Sequence, residues 1–182
     1  MYVLTAKEMQ SIDHYTIQNL GISQEILMEK AALCAVEEIM KLYPHNVICV
    51  CGNGNNGGDG IAVARILKMK GIRAAVYLCS DKPLCKPSVQ KQLSLFERIG
   101  GVVTNEPDFD DYDVIVDAIF GIGLSRNICE PFASVIQNIA TASAKESTKV
   151  ISLDIPSGIN TDTGAVMNVA VKADITIAFA YA

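Results

Sequence analysis

Two aspartates, Asp117 and Asp154, each close a short apolar run, and three glycine-bearing stretches stand beside them. A carboxylate at the end of a buried strand can act as a general acid or base, as a cation ligand, or as a plain turn cap. The first stretch is Gly52-Asn-Gly-Asn-Asn-Gly-Gly-Asp-Gly60. Such a loop can hold an anion, because glycines let backbone N–H groups approach a phosphate and a following helix adds partial positive charge. Its string Gly52-x-Gly54-x-x-Gly57 matches the dinucleotide fingerprint but departs from it twice. Asp59 places an acid where the fingerprint stays apolar, and Asp81 comes late for the ribose acid expected about 20 residues on. There is no Walker lysine.

The second stretch is Asp117-Ala-Ile-Phe-Gly-Ile-Gly-Leu-Ser-Arg-Asn127, and the third is Asp154-Ile-Pro-Ser-Gly158. Arg126 offers a bidentate fork for phosphate, or a solvated surface charge. Asn56, Asp117 and Ser157 can form a hard-oxygen site for a monovalent or divalent cation. The set holds no His or Cys, so zinc and iron are not expected. His14 falls in the first helix and His45 in a turn, where structural or exposed roles are expected. Glu25, Glu29 and Lys30 read as solvated faces, with Leu27-Met28-Glu29 near a ligand if its helix approaches the loops.

The elements that must carry these residues alternate along the chain. Thr5-Ala-Lys-Glu8 has capping-box spacing, and Met9, Ile12, Ile17 and Leu20 follow at roughly helical intervals up to Gly21. Ser23 caps a second helix that runs to Pro44. Strands are expected at Asn46–Cys51, Arg73–Cys79, Val102–Thr104, Tyr112–Ala118, Lys149–Leu153 and Asp174–Phe179. Helices are expected at Ile61–Lys70, Ser88–Ile99 and Pro131–Ala144. This alternation predicts an α/β fold, a parallel sheet with helices on both faces, preceded by two extra N-terminal helices. Right-handed crossovers then gather the three loops at one sheet edge, where ligands of open α/β sheets bind.

Composition narrows the classes. The 182 residues suit one domain, and 50% hydrophobic content excludes disorder. Apolar stretches break well short of roughly 18 residues, so no membrane span is expected, and no signal peptide is seen. A net charge of −5 without a basic run argues against nucleic-acid binding. The six cysteines include no C-x-x-C and read as small apolar residues of a reducing, cytoplasmic protein. The run Ala173–Ala182 stops without a polar tail, as expected of a chain that continues.

Together, Asn55-Asn-Gly-Gly-Asp-Gly60, Val116-Asp-Ala-Ile-Phe-Gly-Ile-Gly123 and Leu153-Asp-Ile-Pro-Ser-Gly-Ile159 resemble the YjeF N-terminal domain family, the NAD(P)H-hydrate epimerases. Leu4–Met9 and Leu27–Ala31 are similar to that family's first two helices. The resemblance covers residues 1–182 as one domain. It implies a Rossmann-like three-layer αβα sandwich with a mostly parallel sheet, often dimeric. It also implies epimerisation of hydrated NADH or NADPH at C6 of the nicotinamide ring. By motif, Asn55, Asn56, Gly57, Gly58, Asp59, Gly121, Ile122, Gly123, Leu124, Ser125, Arg126, Asn127 and Asp154 would contact substrate. Asn56, Asp117 and Ser157 would bind a potassium ion, and Asp154 would be the catalytic acid/base.

Two departures are visible. Family members commonly carry Gly-Thr-Gly where this chain has Gly121-Ile-Gly123, and their last strand-edge region, with a lysine, is not present after Ala182. Many bacterial relatives continue into a dehydratase domain, so a truncated domain with such a continuation is one expectation. The rival readings are an NAD(P)-dependent oxidoreductase using Gly52–Gly57, and a dimeric scaffold or RNA-contacting module of the same fold.

Overall fold

A computed structural model describes residues 4–145 and 147–179. Six strands form one sheet in the order β3-β2-β1-β4-β5-β6. They are β1 (Asn46–Cys51), β2 (Arg73–Leu78), β3 (Val102–Thr104), β4 (Val114–Ala118), β5 (Lys149–Leu153) and β6 (Ile175–Ile177). All described pairings between these strands are parallel. The order reverses between β1 and β4, which leaves a crevice at their carboxyl ends. Apart from Asn46 and the site residue Asp117, β1 and β4 are apolar, as strands covered on both faces are.

Five helices flank the sheet: α1 (Ala6–Gln18), α2 (Gln24–Met40), α3 (Asn55–Met69), α4 (Pro87–Arg98) and α5 (Phe132–Ser143). One apolar layer packs α2, α3 and α4 against Val47, Cys49, Cys51, Val76 and Val116. The other packs α5 against Ile48, Val50, Ile115 and Val150. These two layers make the expected αβα sandwich. No helix among the described residues is long and apolar enough to cross a membrane.

The expected elements are all present, with trimmed ends. The strand expected at Tyr112–Ala118 begins at Val114, because residues Phe109–Asp111 form a short 3-10 turn held by the Asp108 side chain. The strand expected at Asp174–Phe179 is limited to Ile175–Ile177, and residues 180–182 of the expected apolar run lie outside the described residues. Pro131 caps α5 rather than filling its first turn. The capping box of α1 is formed, with the Thr5 N–H donating to Glu8 Oε2 at 2.8 Å and the Glu8 N–H donating to Thr5 Oγ1. The two N-terminal helices behave differently. α2 buries Met28, Ala32, Ala35, Val36 and Ile39, whereas α1 buries nothing.

The largest correction concerns Gly52–Gly60. Only Gly52–Gly54 is loop, and Asn55–Gly60 forms the first turns of α3, capped at Gly54. These helical glycines are there for space. A Cβ on Gly57 would overlap the carbonyl of Gly52, one on Gly58 would sit 2.6 Å from Met28 Cε, and one on Gly60 would sit 2.5 Å from Ala118 Cβ. Such residues are poor helix formers, so packing overrides propensity here. By contrast, nothing lies within 4 Å of a Cβ on Gly54. Gly57→Ala is therefore expected to destabilise by ~2–3 kcal/mol, as overpacking against backbone does, while Gly54→Ala shifts stability by less than ~1 kcal/mol. Equilibrium urea unfolding of the two variants checks this.

Candidate active site

The site is assembled around the buried end of β4. Asp117 is fully buried. Its Oδ2 accepts from Ser152 Oγ at 2.7 Å and from the Ser157 N–H at 2.9 Å. Its Oδ1 accepts from Ser157 Oγ at 2.5 Å and from the Ile119 N–H at 3.2 Å. Ser152 lies opposite Asp117 in the β4–β5 register. One carboxylate thus binds β5, the loop after β5 and its own loop. Burial raises the Asp117 carboxyl, and these donors pull it back.

The three loops meet as expected. The first touches the second where the Gly52 N–H donates to Ala118 O at 3.0 Å. It touches the third where Asn56 Nδ2 donates to Leu153 O at 3.3 Å. Besides the Asp117–Ser157 bonds, the second joins the third where the Phe120 N–H donates to Ser157 Oγ at 2.9 Å and where the Ile122 N–H donates to Asp154 Oδ2 at 2.9 Å. A side chain at Gly121 would collide with Asp154 Oδ2 and crowd Asn56. Gly121, Asp154 and Asn56 are therefore immediate neighbours.

Asp154 follows β5 with φ of 70°, in the left-handed region that a non-glycine residue adopts at some cost. Its backbone N–H donates to Ile177 O at 2.8 Å, which ties the strained turn to β6. Oδ2 is fixed by Ile122, and Oδ1 accepts no hydrogen bond from the described residues. Burial pushes the Asp154 carboxyl up, the Ile122 N–H offsets part of this, and the Asp13 charge adds to it. Asp59, in the second turn of α3, is pushed well above the usual carboxylate range by burial, by Asp154 and by Asp13. A carboxyl raised in this way can hold and release a proton nearer neutral pH.

Asn56 is buried, and its Oδ1 has no partner among the described residues. An unsatisfied buried amide oxygen costs free energy unless a ligand fills the gap. Gly57 and Gly58 are buried in α3, while Asn55 and Gly54 stand open at its start. α2 does approach this helix: Met28 lies against Gly58, and Glu29 pairs with Arg65 of α3. His14 and His45 are exposed and join none of these contacts.

A cleft of about 350 Å³ borders this centre at Ile122. It is lined by Ile122, Leu124, Lys7, Gln10, Thr161 and Asp162, among others. Gly123 and Ser125 also line it, while Arg126 and Asn127 are exposed just beyond. A larger hollow of about 510 Å³ under Tyr77, Glu106 and Phe109 holds none of the residues nominated from sequence.

A family model described as YjeF-related protein N-terminus matches residues 24–182. The chain belongs to this family. A protein of Limosilactobacillus fermentum named NAD(P)H-hydrate epimerase is 41% identical over 181 residues, covering 98% of this chain and 85% of the relative. A Leuconostoc citreum protein of the same name is 39% identical over 183 residues, covering 100% of this chain and 81% of the relative. The crystal structure of yeast ynu0, YNL200c, shares the fold at a TM-score of 0.85 and 23% identity, covering 98% of this chain and 80% of that one. For a YjeF-related N-terminus, sequence reasoning missed Asp13, Ser152 and the Lys7–Thr161 cleft. Ser152 carried one signal, a lone hydroxyl inside the apolar run Lys149–Leu153.

The raised carboxyls set a pH dependence. Asp59 in the folded chain binds its proton above the pH at which the unfolded chain releases it. Folding stability therefore falls as pH rises through that window, and Asp59 costs most above its folded pKa. Asp59→Asn is expected to raise stability at neutral pH and to flatten the fall as pH rises above the ordinary carboxylate range. Comparing parent and variant by urea unfolding at each pH isolates this share, since Glu25, held down to about 2 by Lys91, contributes with the opposite sign.

Proposed function

We infer that this chain is an NAD(P)H-hydrate epimerase, interconverting the R and S forms of hydrated NADH and NADPH. The observation that carries the reading is the Asp154 carboxylate: fixed at one oxygen by Ile122, open at the other, and set beside the glycine-rich start of α3. The name shared by relatives across nearly the whole chain supports it.

The substrate carries its hydroxyl on C6, a carbon bonded to the ring nitrogen. Inversion requires departure of that hydroxyl with help from the nitrogen lone pair, then return of water from the opposite face. Ring opening and reclosure reach the same end. Either route needs one group that gives a proton and takes it back. Asp154 fills that role, and its raised carboxyl favours holding the proton when the hydroxyl leaves. Asn55, Asn56, Gly57, Gly58 and Asp59 bind the substrate from α3, and residues 121–127 bind it from the loop after β4. The α3 start supplies partial positive charge for its phosphates.

Asn56, Asp117 and Ser157 are assigned to a potassium ion. The unpartnered buried Asn56 Oδ1 and the neutral oxygen of Ser157 suit a hard monovalent cation. Asp117 already accepts from four donors, so its part is negative charge rather than an open lone pair. When bound, the ion balances phosphate charge and steadies the loops.

Exposed Ile12 and Tyr15 on α1, Ile26 and Leu33 on α2, and Leu20 between the two helices support a homodimer. The free cysteines support a cytoplasmic setting. A dehydratase that accepts one epimer, linked or separate, is the partner this reaction calls for. The acidic balance speaks against the RNA-contacting alternative.

Asp154→Asn is expected to slow epimerisation by roughly 10²–10⁴-fold while dinucleotide affinity stays within a few fold, followed by NMR on the separated hydrates. Full activity in that variant would overturn the assignment. Potassium, against choline at equal ionic strength, is expected to raise the melting temperature of the parent and to leave Asn56→Ala unmoved.

A further inference from the structure

We propose that α1 is a wall of the substrate cleft and that Lys7, with the Thr161 hydroxyl, binds a phosphate group of the dinucleotide. The proposal rests on the epimerase reading and adds a binding determinant outside the stretch matched by the family model, which begins at residue 24.

The cleft adjoins the catalytic centre at Ile122. Ile122, whose N–H holds the Asp154 carboxylate, is also the first residue of its loop to line the cleft. Lys7 and Gln10 line the opposite side, three residues apart and so on one face of α1. Asn160, Thr161 and Asp162 close the third side. The volume of about 350 Å³ lies within the range of small-ligand sites, and a dinucleotide reaching from Asp154 must extend somewhere beyond Ile122.

The position of α1 is otherwise unexplained by stability. The helix buries no residue, yet a long-range hydrogen bond pins it to the far side of the cleft. The Ala6 N–H donates to Asp162 Oδ1 at 2.7 Å, across 156 residues of chain. That bond sets the Asp162 carboxylate on the positive end of α1, where its charge is offset. Lys7, by contrast, lines the cleft, is exposed, and has no salt bridge among the described residues. Thr161 lines the same cleft, and its Oγ1 is buried with no hydrogen-bond partner among the described residues. A cation without a counter-ion and a buried hydroxyl without a partner, on one cleft, are the complement of a phosphate oxygen.

The phosphate can be either the pyrophosphate common to both hydrates or the 2′-phosphate of the NADPH form. Kinetics with both substrates separates them. Lys7 is exposed, so Lys7→Gln keeps the helix and removes the charge. Lys7→Gln is expected to raise KM about tenfold with kcat within twofold, as loss of one charge-assisted hydrogen bond does, and Lys7→Arg restores most of it. Thr161→Val is expected to raise KM about threefold, and Thr161→Ser is not. An equal rise for both hydrates assigns the pyrophosphate. A rise for the NADPH hydrate alone assigns the 2′-phosphate. Calorimetric binding of ADP-ribose and of its 2′-phosphorylated form gives a readout independent of turnover. If the parent fails to epimerise yet Lys7→Gln weakens either ligand, the cleft assignment stands and the epimerase reading falls. If the parent epimerises and Lys7→Gln matches it in KM for both hydrates and in affinity for both ligands, the proposal is overturned.

Discussion

The buried Asp117 carboxylate is the interaction on which the rest of the site depends. A lone ionised carboxyl in an apolar sheet is costly, and its free energy is recovered only through full hydrogen bonding. Here the donors come from three different segments: Ser152 on β5, Ser157 after it, and Ile119 beyond β4. Satisfying one charge therefore fixes the relative positions of two loops. Ser157, held in place this way, receives the Phe120 N–H, and Ile122 two residues later reaches Asp154. A hydrophobic residue of similar size at position 117 could fill the volume without ordering any of these partners.

Close approach on the other side of the crevice rests on missing side chains. Gly52 lies against the carbonyl of Ile119, Gly57 against Gly52, and Gly60 against Ala118. α3 is drawn down onto β1 and β4 until its first turn stands level with the two aspartates. Glycines weaken that turn as a helix, and the packing of Ile61, Ala62, Val63 and Leu67 compensates further along. The result is a helix start aimed at the crevice, a position suited to anionic groups.

The same crowding makes the site electrostatically uneasy. Burial raises the proton affinity of Asp59, Asp154 and Asp13; the charges of Asp154 and Asp13 raise Asp59 further, and that of Asp13 raises Asp154. Asp154 also holds a left-handed backbone. These features lower stability where they occur, which is the usual relation between active sites and the frameworks that carry them. The two apolar layers and the continuous β1 and β4 strands offset that local cost.

Element order, the sheet's parallel sense and the three ligand loops were legible because they follow from local pattern: runs of β-branched residues, helical spacing, and turn residues between them. Asp117 and Asp154 stood out for the same reason, as charges closing apolar runs. What could not be read locally was where α3 begins. Asn55–Gly60 reads as loop by propensity, and only the contacts with Gly52, Met28 and Ala118 make it helix. Nor could the pattern show that Asp117 binds Ser152 and Ser157, because register across β4 and β5 decides it. Asp13 and Lys7 sit on an ordinary-looking amphipathic helix. The sequence by itself determined which residue types reach the crevice. The tertiary structure decided which of them share it, because long-range packing, not propensity, sets the distances on which charge and hydrogen bonding act.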